Sequence, residues 1–186
     1  MNSSCIRTAK PNKIKWGIGS GRYRLALQEV EISGCNAGFA VAGDRRPENP
    51  ASFSKAQVKA WSAEGLVEFW GWQKDMVTVL RGSRIVCVSS YREGLPTELV
   101  QAAACARAIV TCYVQGCREV VRDNDNGLLV PARDAEALAN ALQRLIEDPS
   151  LRARMGERGR QRAVSAFWLQ QVVSETLAWC RKLAPI

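Results

Sequence analysis

At 186 residues the chain has the length of one ordinary domain, enough to bury a core. Its 47% apolar content excludes a disordered chain, and no apolar run approaches the roughly 20 residues of a membrane span. The net charge of +8 is unevenly held, since residues 1–28 carry Arg7, Lys10, Lys13, Lys15, Arg22 and Arg24 and no acid; such a balance suits a phosphorylated ligand, a nucleic acid or an anionic membrane surface as well as a solvated face.

The segment "MNSSCIRTAKPNK" has no apolar signal-peptide core, so a cytoplasmic location is expected. After it, "FAVAG" (39–43) is a short apolar run ending in a turn signal, and "SKAQVKAWSAEG" (54–65) predicts a helix with a Ser cap and a Gly stop. "LVEFWGW" (66–72) predicts a strand, "KDMVTVLRGS" (74–83) a short helix capped by Asp75, and "RIVCVSS" (84–90) a buried strand. "PTELVQAAACA" is the next helix and "AIVTCYV" (108–114) the next strand, followed by a helical turn at "GCREVV" and a strand at "NGLLV" (126–130). Helices over 134–147, 149–166 and 169–183 complete the chain, with Asp134 and Asp148 as caps and Pro149 at a first helical position.

Strands alternating with helices predict a single Rossmann-like α/β domain, a parallel sheet with helices on both faces. Ligands of such sheets bind at the carboxyl ends of the strands, which is where "SSYREGLP" falls. Gly94 permits close backbone approach, Pro96 can open a helix without losing a hydrogen bond, and the helix presents free N–H groups and a positive dipole end. The turn suits an oxygen-rich or anionic ligand.

Other chemistries are narrowed by composition. The seven Cys are scattered with no C-x-x-C pair, and there is no His, which excludes mixed Cys/His zinc sites and every Ser-His-Asp or Cys-His arrangement. Reduced, mostly buried thiols are expected, and neither a metal nor a cofactor. The basic run "LRARMGERGRQR" (151–162) is expected to be a solvated face, because its five Arg do not fall on one stripe.

Taken in order and at their spacings, "EGLP", "GCREVV", "NGLLVP" and "DPSLRARMG" resemble the C-terminal, nucleotide-sugar-binding domain of the family 4 (group 1) glycosyltransferases. These are retaining enzymes of GT-B fold, in which two Rossmann-like domains face a cleft. The likeness runs from about residue 13 to 183 and is strongest over 85–160, so that residues 1–12 form a variable segment and 13–186 the domain. It implies a nucleotide-diphosphate sugar as donor substrate. The catalytic position is Glu93, whose carboxylate would hold donor-sugar hydroxyls, with Gly94, Leu95 and Pro96 holding the sugar–phosphate region. Gln101 stands where the family has a second acid, on the ribose. A carboxylate accepts from both hydroxyls of a diol, whereas Gln101 makes one acceptor and one donor bond.

Elsewhere the chain departs from the family pattern. The lysine position that meets the donor diphosphate falls on Trp16, leaving Lys15, with Lys13 and Arg22, as the nearby bases. Ala106, Ala108, Tyr113 and Ser89 replace Gly, Pro, Asp and Pro. Trp61 is expected in the core; Trp72 is expected to pack there or over the next helix, with stacking on a nucleotide base as the other reading. The chain supplies one of the family's two domains, so the isolated chain is expected to be inactive or to need a partner, either a separate N-terminal half or a second copy. The alternative is a non-catalytic remnant or docking module. No specific nucleic-acid partner is expected, and peripheral membrane contact stays open. The last helix carries more apolar residues than one small domain can cover.

Overall fold

In the computed structural model the described residues are 13–16, 38–43, 54–63, 65, 67–90 and 94–183. Among them are β1 (Lys13–Trp16), β2 (Gly38–Ala42), α1 (Lys55–Ala63), β3 (Val67–Gly71), α2 (Met76–Arg81), β4 (Ile85–Val88), α3 (Thr97–Ala104), β5 (Ala108–Cys112), α4 (Gln115–Val120), β6 (Leu128–Val130), α5 (Ala135–Glu147), α6 (Pro149–Ala166) and α7 (Leu169–Leu183). The strands form one parallel sheet in the order β3-β2-β1-β4-β5-β6, the expected Rossmann-like architecture. β1 lies in the middle and is not among the elements the apolar pattern predicts. A strand covered on both faces normally reads as a continuous apolar run, and Lys13 and Lys15 interrupt it.

Period-2 alternation sends β4, β5 and β6 into two cores. Ile85, Cys87, Ala108, Val110, Leu128 and Val130 pack with Leu138, Leu142, Leu145 and Met155 on one face. Val86, Val88 and Ile109 pack on the other with Leu80, Leu99, Ala102, Cys117, Val120 and Ala163. Burying a side chain such as Leu142, fully buried here, contributes about 1.5–3 kcal/mol. α6 joins the two cores, starting against the first through Leu151 and Met155 and ending in the second at Ala163.

The predicted caps form. Asp75, Asp134 and Asp148 accept from the backbone N–H of Thr78 (3.1 Å), Ala137 (2.9 Å) and Leu151 (2.8 Å), and Pro149 opens α6. The predicted strand 126–130 shortens to β6 because Asn126 closes a turn instead: its Oδ1 accepts from Arg122 N (2.6 Å) and its Nδ2 donates to Val120 O (3.0 Å).

The arginines of α6 do not form a merely solvated face. Arg152 is buried and donates to Leu145 O and Ile146 O (2.5 and 2.8 Å). Arg160 donates to Ala104 O (2.7 Å), and Arg162 to Glu119 O (2.7 Å) and Val120 O (3.1 Å). These carbonyls end α5, α3 and α4, where a helix leaves acceptors unpaired and carries partial negative charge. Arg158 pairs with Asp125.

α3 ends in a Schellman turn: Arg107 N donates to Ala102 O (3.0 Å) and Ala106 N to Ala103 O (2.8 Å). The turn holds Ala106 at φ 54°, a left-handed conformation in which a Cβ costs roughly 1–2 kcal/mol. Ala106→Gly is therefore expected to stabilise the domain by about 1 kcal/mol, less than the full relief because Gly loses more entropy on folding. Thermal unfolding should show Tm raised by roughly 2–4 °C; an unchanged Tm would mean that the turn relaxes.

Candidate functional site

β1 lies between strands reached in opposite directions, β2 on one side and β4 on the other. At such a topological switch point, outside the carboxyl ends of the strands, open parallel sheets bind their ligands; here those ends belong to β1 and β4. Trp16 ends β1, its backbone in register with Cys87 of β4. Beyond Val88 the chain leaves β4 through Ser89 and Ser90; residues 91–93, and Glu93 with them, lie outside the described residues.

The end of β4 is held firmly. Thr111, fully buried on β5, donates from Oγ1 to Val88 O (2.5 Å), and Cys117 Sγ of α4 lies 3.1 Å from that Thr111 Oγ1. A turn leaving β4 here starts from a position fixed by a neighbouring strand and a helix. Cys87, just before it, is fully buried, and burial, with Cys112 beside it, pushes its thiol well above its usual pKa. A thiol kept protonated is a poor nucleophile, so the chemistry of this edge does not rest on Cys87.

After the undescribed residues come the exposed Gly94 and Leu95, then Pro96. Pro96 is buried and acts as the N-cap of α3 (φ −71°, ψ 106°), one position earlier than a first helical residue. It makes no side-chain cap, as a proline ring offers no acceptor, so Pro96 itself leaves the first N–H groups of α3 uncapped. Its carbonyl accepts from Leu99 N at 3.1 Å. Leu99, Ala102 and Ala103 bury the inner face of α3, while Thr97, Glu98 and Gln101 are exposed. Gln101 stands four residues after Thr97, on the same stripe and about 6 Å further along. The structure thus groups Gly94, Leu95, the N-terminus of α3 and Gln101 on one solvent-facing corner. It places Pro96 inside, and Lys15 within β1, its backbone in register with Ala40 and Val86.

Two aromatic residues mark the same edge further out. Trp72, just past β3, is 66% exposed, which corrects the expectation that it packs in the core; Trp61 is buried as expected, and stacks on Phe69. A Trp at a strand end follows the direction of the departing loop, which apolarity alone does not encode. Tyr113 extends β5, donating its N–H to Val130 O (2.7 Å). Its exposed ring lies 4.8 Å from the Arg118 guanidinium, and its hydroxyl accepts from Arg118 Nη1 (3.3 Å). Sequence reasoning noted Tyr113 only as a departure and gave Arg118 no place; no residue pattern signals the pair.

Known proteins share this fold. The fold matches sucrose-phosphate synthase from Thermosynechococcus elongatus with a TM-score of 0.77 at 23% identity, covering 95% of this chain and 46% of that one. It matches the Anabaena protein HepE in complex with UDP-glucose with a TM-score of 0.71 at 22% identity, over 90% of this chain and 49% of that one. It also matches the C-terminal domain of a group 1 glycosyl transferase from Francisella tularensis, with a TM-score of 0.72 at 21% identity, over 85% of this chain and 87% of that domain. Sheet order and neighbours together define a Rossmann-like domain of the GT-B type of fold.

The family profile described as "Glycosyl transferases group 1" matches residues 23–148, and the chain belongs to that family. Among curated relatives, an N,N'-diacetylbacillosaminyl-diphospho-undecaprenol alpha-1,3-N-acetylgalactosaminyltransferase of Campylobacter jejuni is 31% identical over 128 residues, 69% of this chain and 33% of the relative. A lipopolysaccharide core biosynthesis glycosyltransferase of Rhizobium meliloti is 35% identical over 103 residues, 55% of this chain and 30% of the relative. The chain thus spans about a third of the length of these curated relatives.

Proposed function

We propose that this chain is the donor-binding half of a retaining glycosyltransferase, taking a nucleotide-diphosphate sugar at the corner formed by the residue 94–96 turn and α3. Glu93 holds the sugar hydroxyls, the N–H groups of α3 face the sugar–phosphate region, and Gln101 meets the ribose. The observation that carries the reading is the exposed Gly94–Leu95 bend leading into a helix without a side-chain cap, with Gln101 one turn along the same stripe. That geometry offers N–H donors and a positive dipole end to phosphate, and a bifunctional amide to a diol. UDP-glucose is bound by a structural neighbour and is the natural first probe.

Transfer needs more than this half. Catalysis of this kind rests on positioning two substrates and on stabilising the departing phosphate, and the curated relatives are about three times the length matched here. The isolated chain is expected to bind donor without turning it over.

Calorimetry with UDP-glucose tests the reading. Glu93→Ala is expected to weaken binding about tenfold or more, since hydrogen bonds to a charged group contribute roughly 1.5–3 kcal/mol. Gln101→Glu is expected to tighten it about fivefold, the difference of ~1 kcal/mol between charged and neutral hydrogen bonds. With the 2'-deoxy analogue that gain should largely vanish. No binding at millimolar concentration would reject the donor site and favour the docking-module reading. Equal affinities for the wild type and the Gln101→Glu variant would remove residue 101 from the ribose.

A further inference from the structure

We infer that Thr111 is a positioning residue of the donor site: its buried hydroxyl fixes the end of β4 and, through it, the turn over residues 89–95 that the proposed function sets against the donor sugar. The inference rests on that reading of the turn. All five residues of β5 are buried, and Thr111 brings the one hydroxyl among them. A buried hydroxyl is costly unless it is hydrogen-bonded, so packing alone would favour an apolar residue here. Thr111 stands opposite Val88 in the last register pair of the β4–β5 ladder, and its Oγ1 donates to the carbonyl that ends β4, Val88 O, at 2.5 Å. A hydroxyl has a single proton. With that proton on Val88 O, the 3.1 Å contact with Cys117 Sγ has the thiol donating to Thr111 Oγ1. The bonds thus run from α4 through β5 to β4, and Cys117, fully buried itself, keeps the hydroxyl aimed at β4.

The two ends of the turn are anchored differently. Ser89 is buried directly after Val88, and Pro96 is buried where α3 begins. Between them Gly94 and Leu95 are exposed, and a Cβ built on Gly94 would meet nothing within 4 Å. At Gly94 the backbone is not wedged by its surroundings, so its place follows from the two ends. The α3 end is set by the core, through the buried Leu99, Ala102 and Ala103. The β4 end is set by the Thr111 hydroxyl. These ends serve different parts of the ligand. α3 and Gln101 keep their place without Thr111, so contacts with the nucleotide should not depend on it. Contacts with the sugar come from the turn, and those should. A residue that only packs would not divide the ligand in this way.

Calorimetry of the full chain with UDP and with UDP-glucose separates the two contributions. The wild type should bind UDP-glucose more tightly than UDP. Thr111→Val keeps the branched shape and drops the hydroxyl; it should weaken UDP-glucose about fivefold, the scale of one well-placed hydrogen bond, and leave UDP unchanged. Thr111→Ser keeps the hydroxyl and should restore the preference for UDP-glucose. In the ligand-free protein, amide exchange read by mass spectrometry should quicken over residues 88–95 in the valine variant and stay at the wild-type rate in the serine variant. UDP affinity lost in step with UDP-glucose, or a serine variant as weak as the valine one, makes Thr111 a packing residue and overturns the proposal. A valine variant that matches the wild type in affinity or in exchange overturns it equally, and leaves the donor reading standing. A wild type that binds neither ligand, or binds UDP-glucose no better than UDP, rejects the sugar site itself and the role of Thr111 with it.

Discussion

Gly156→Ala is expected to destabilise the domain by about 3 kcal/mol or more, the upper range for overpacking, and to lower Tm by roughly 6–12 °C. The cause is local and rigid. A Cβ on Gly156 would lie 2.3 Å from the Ala106 carbonyl oxygen and 2.9 Å from its carbon, both backbone atoms of the Schellman turn that ends α3. No rotamer change relieves such a contact. Either α6 moves off the amino end of β5, opening the junction between the two cores, or the turn gives up its hydrogen bonds. Gly159, one turn later on the same helix, is the control. A Cβ there meets nothing nearer than Ala103 Cα at 3.6 Å, an ordinary contact, and Gly in a helix interior costs about 1 kcal/mol relative to Ala. Gly159→Ala should therefore be neutral or mildly stabilising. Urea unfolding of both variants separates the two accounts: equal losses would show that helix position, not the approach to Ala106, controls stability.

What was legible in the sequence follows from which signals are local. Asp134 and Asp148 could be read as caps because a carboxylate three residues before a free N–H acts within one turn. The strand 84–90 and the turn after it were legible because an apolar run followed by Gly and Pro has few other meanings, and that reading placed the exposed Gly94–Leu95 bend at the carboxyl edge. Features set by distant partners were not legible. β1 is central through its pairing with Gly38–Val41 and Ile85–Cys87, and its own four residues carry two lysines. The α6 arginines looked like solvent-facing charge because their acceptors, such as Ala104 O and Glu119 O, lie 56 and 43 residues away. Pro96 was readable as a helix start, but that it turns inward while Gly94 and Leu95 face solvent depends on the core beneath α3.

Arg152 gives the second large effect. Its guanidinium is buried at the junction of α5 and α6 and gives hydrogen bonds to Leu145 O and Ile146 O from Nη1. Burial, with Arg84 nearby, lowers its pKa from the usual value, so the environment charges a desolvation cost that the two carbonyls offset. Arg152→Leu keeps the packing volume and removes both donors. Two carbonyls at the end of α5 would then be short of partners, at roughly 1–3 kcal/mol for each buried group left unsatisfied, and a loss of about 3 kcal/mol is expected. Arg152→Lys should fall between leucine and wild type, because an ammonium on a flexible stem lacks the planar fork of a guanidinium. Arg154→Leu, at an exposed position on the same helix, should change stability by less than about 0.5 kcal/mol. Salt provides a further check. The Arg158–Asp125 pair is exposed and its contribution should fade as ionic strength rises, while the Arg152 effect, made through buried carbonyls, should persist at a salt concentration of about 1 M, where the screening length falls to about 3 Å. Equal urea midpoints for wild type and Arg152→Leu would mean that water reaches the end of α5 and that the buried arginine is not what holds α5 to α6.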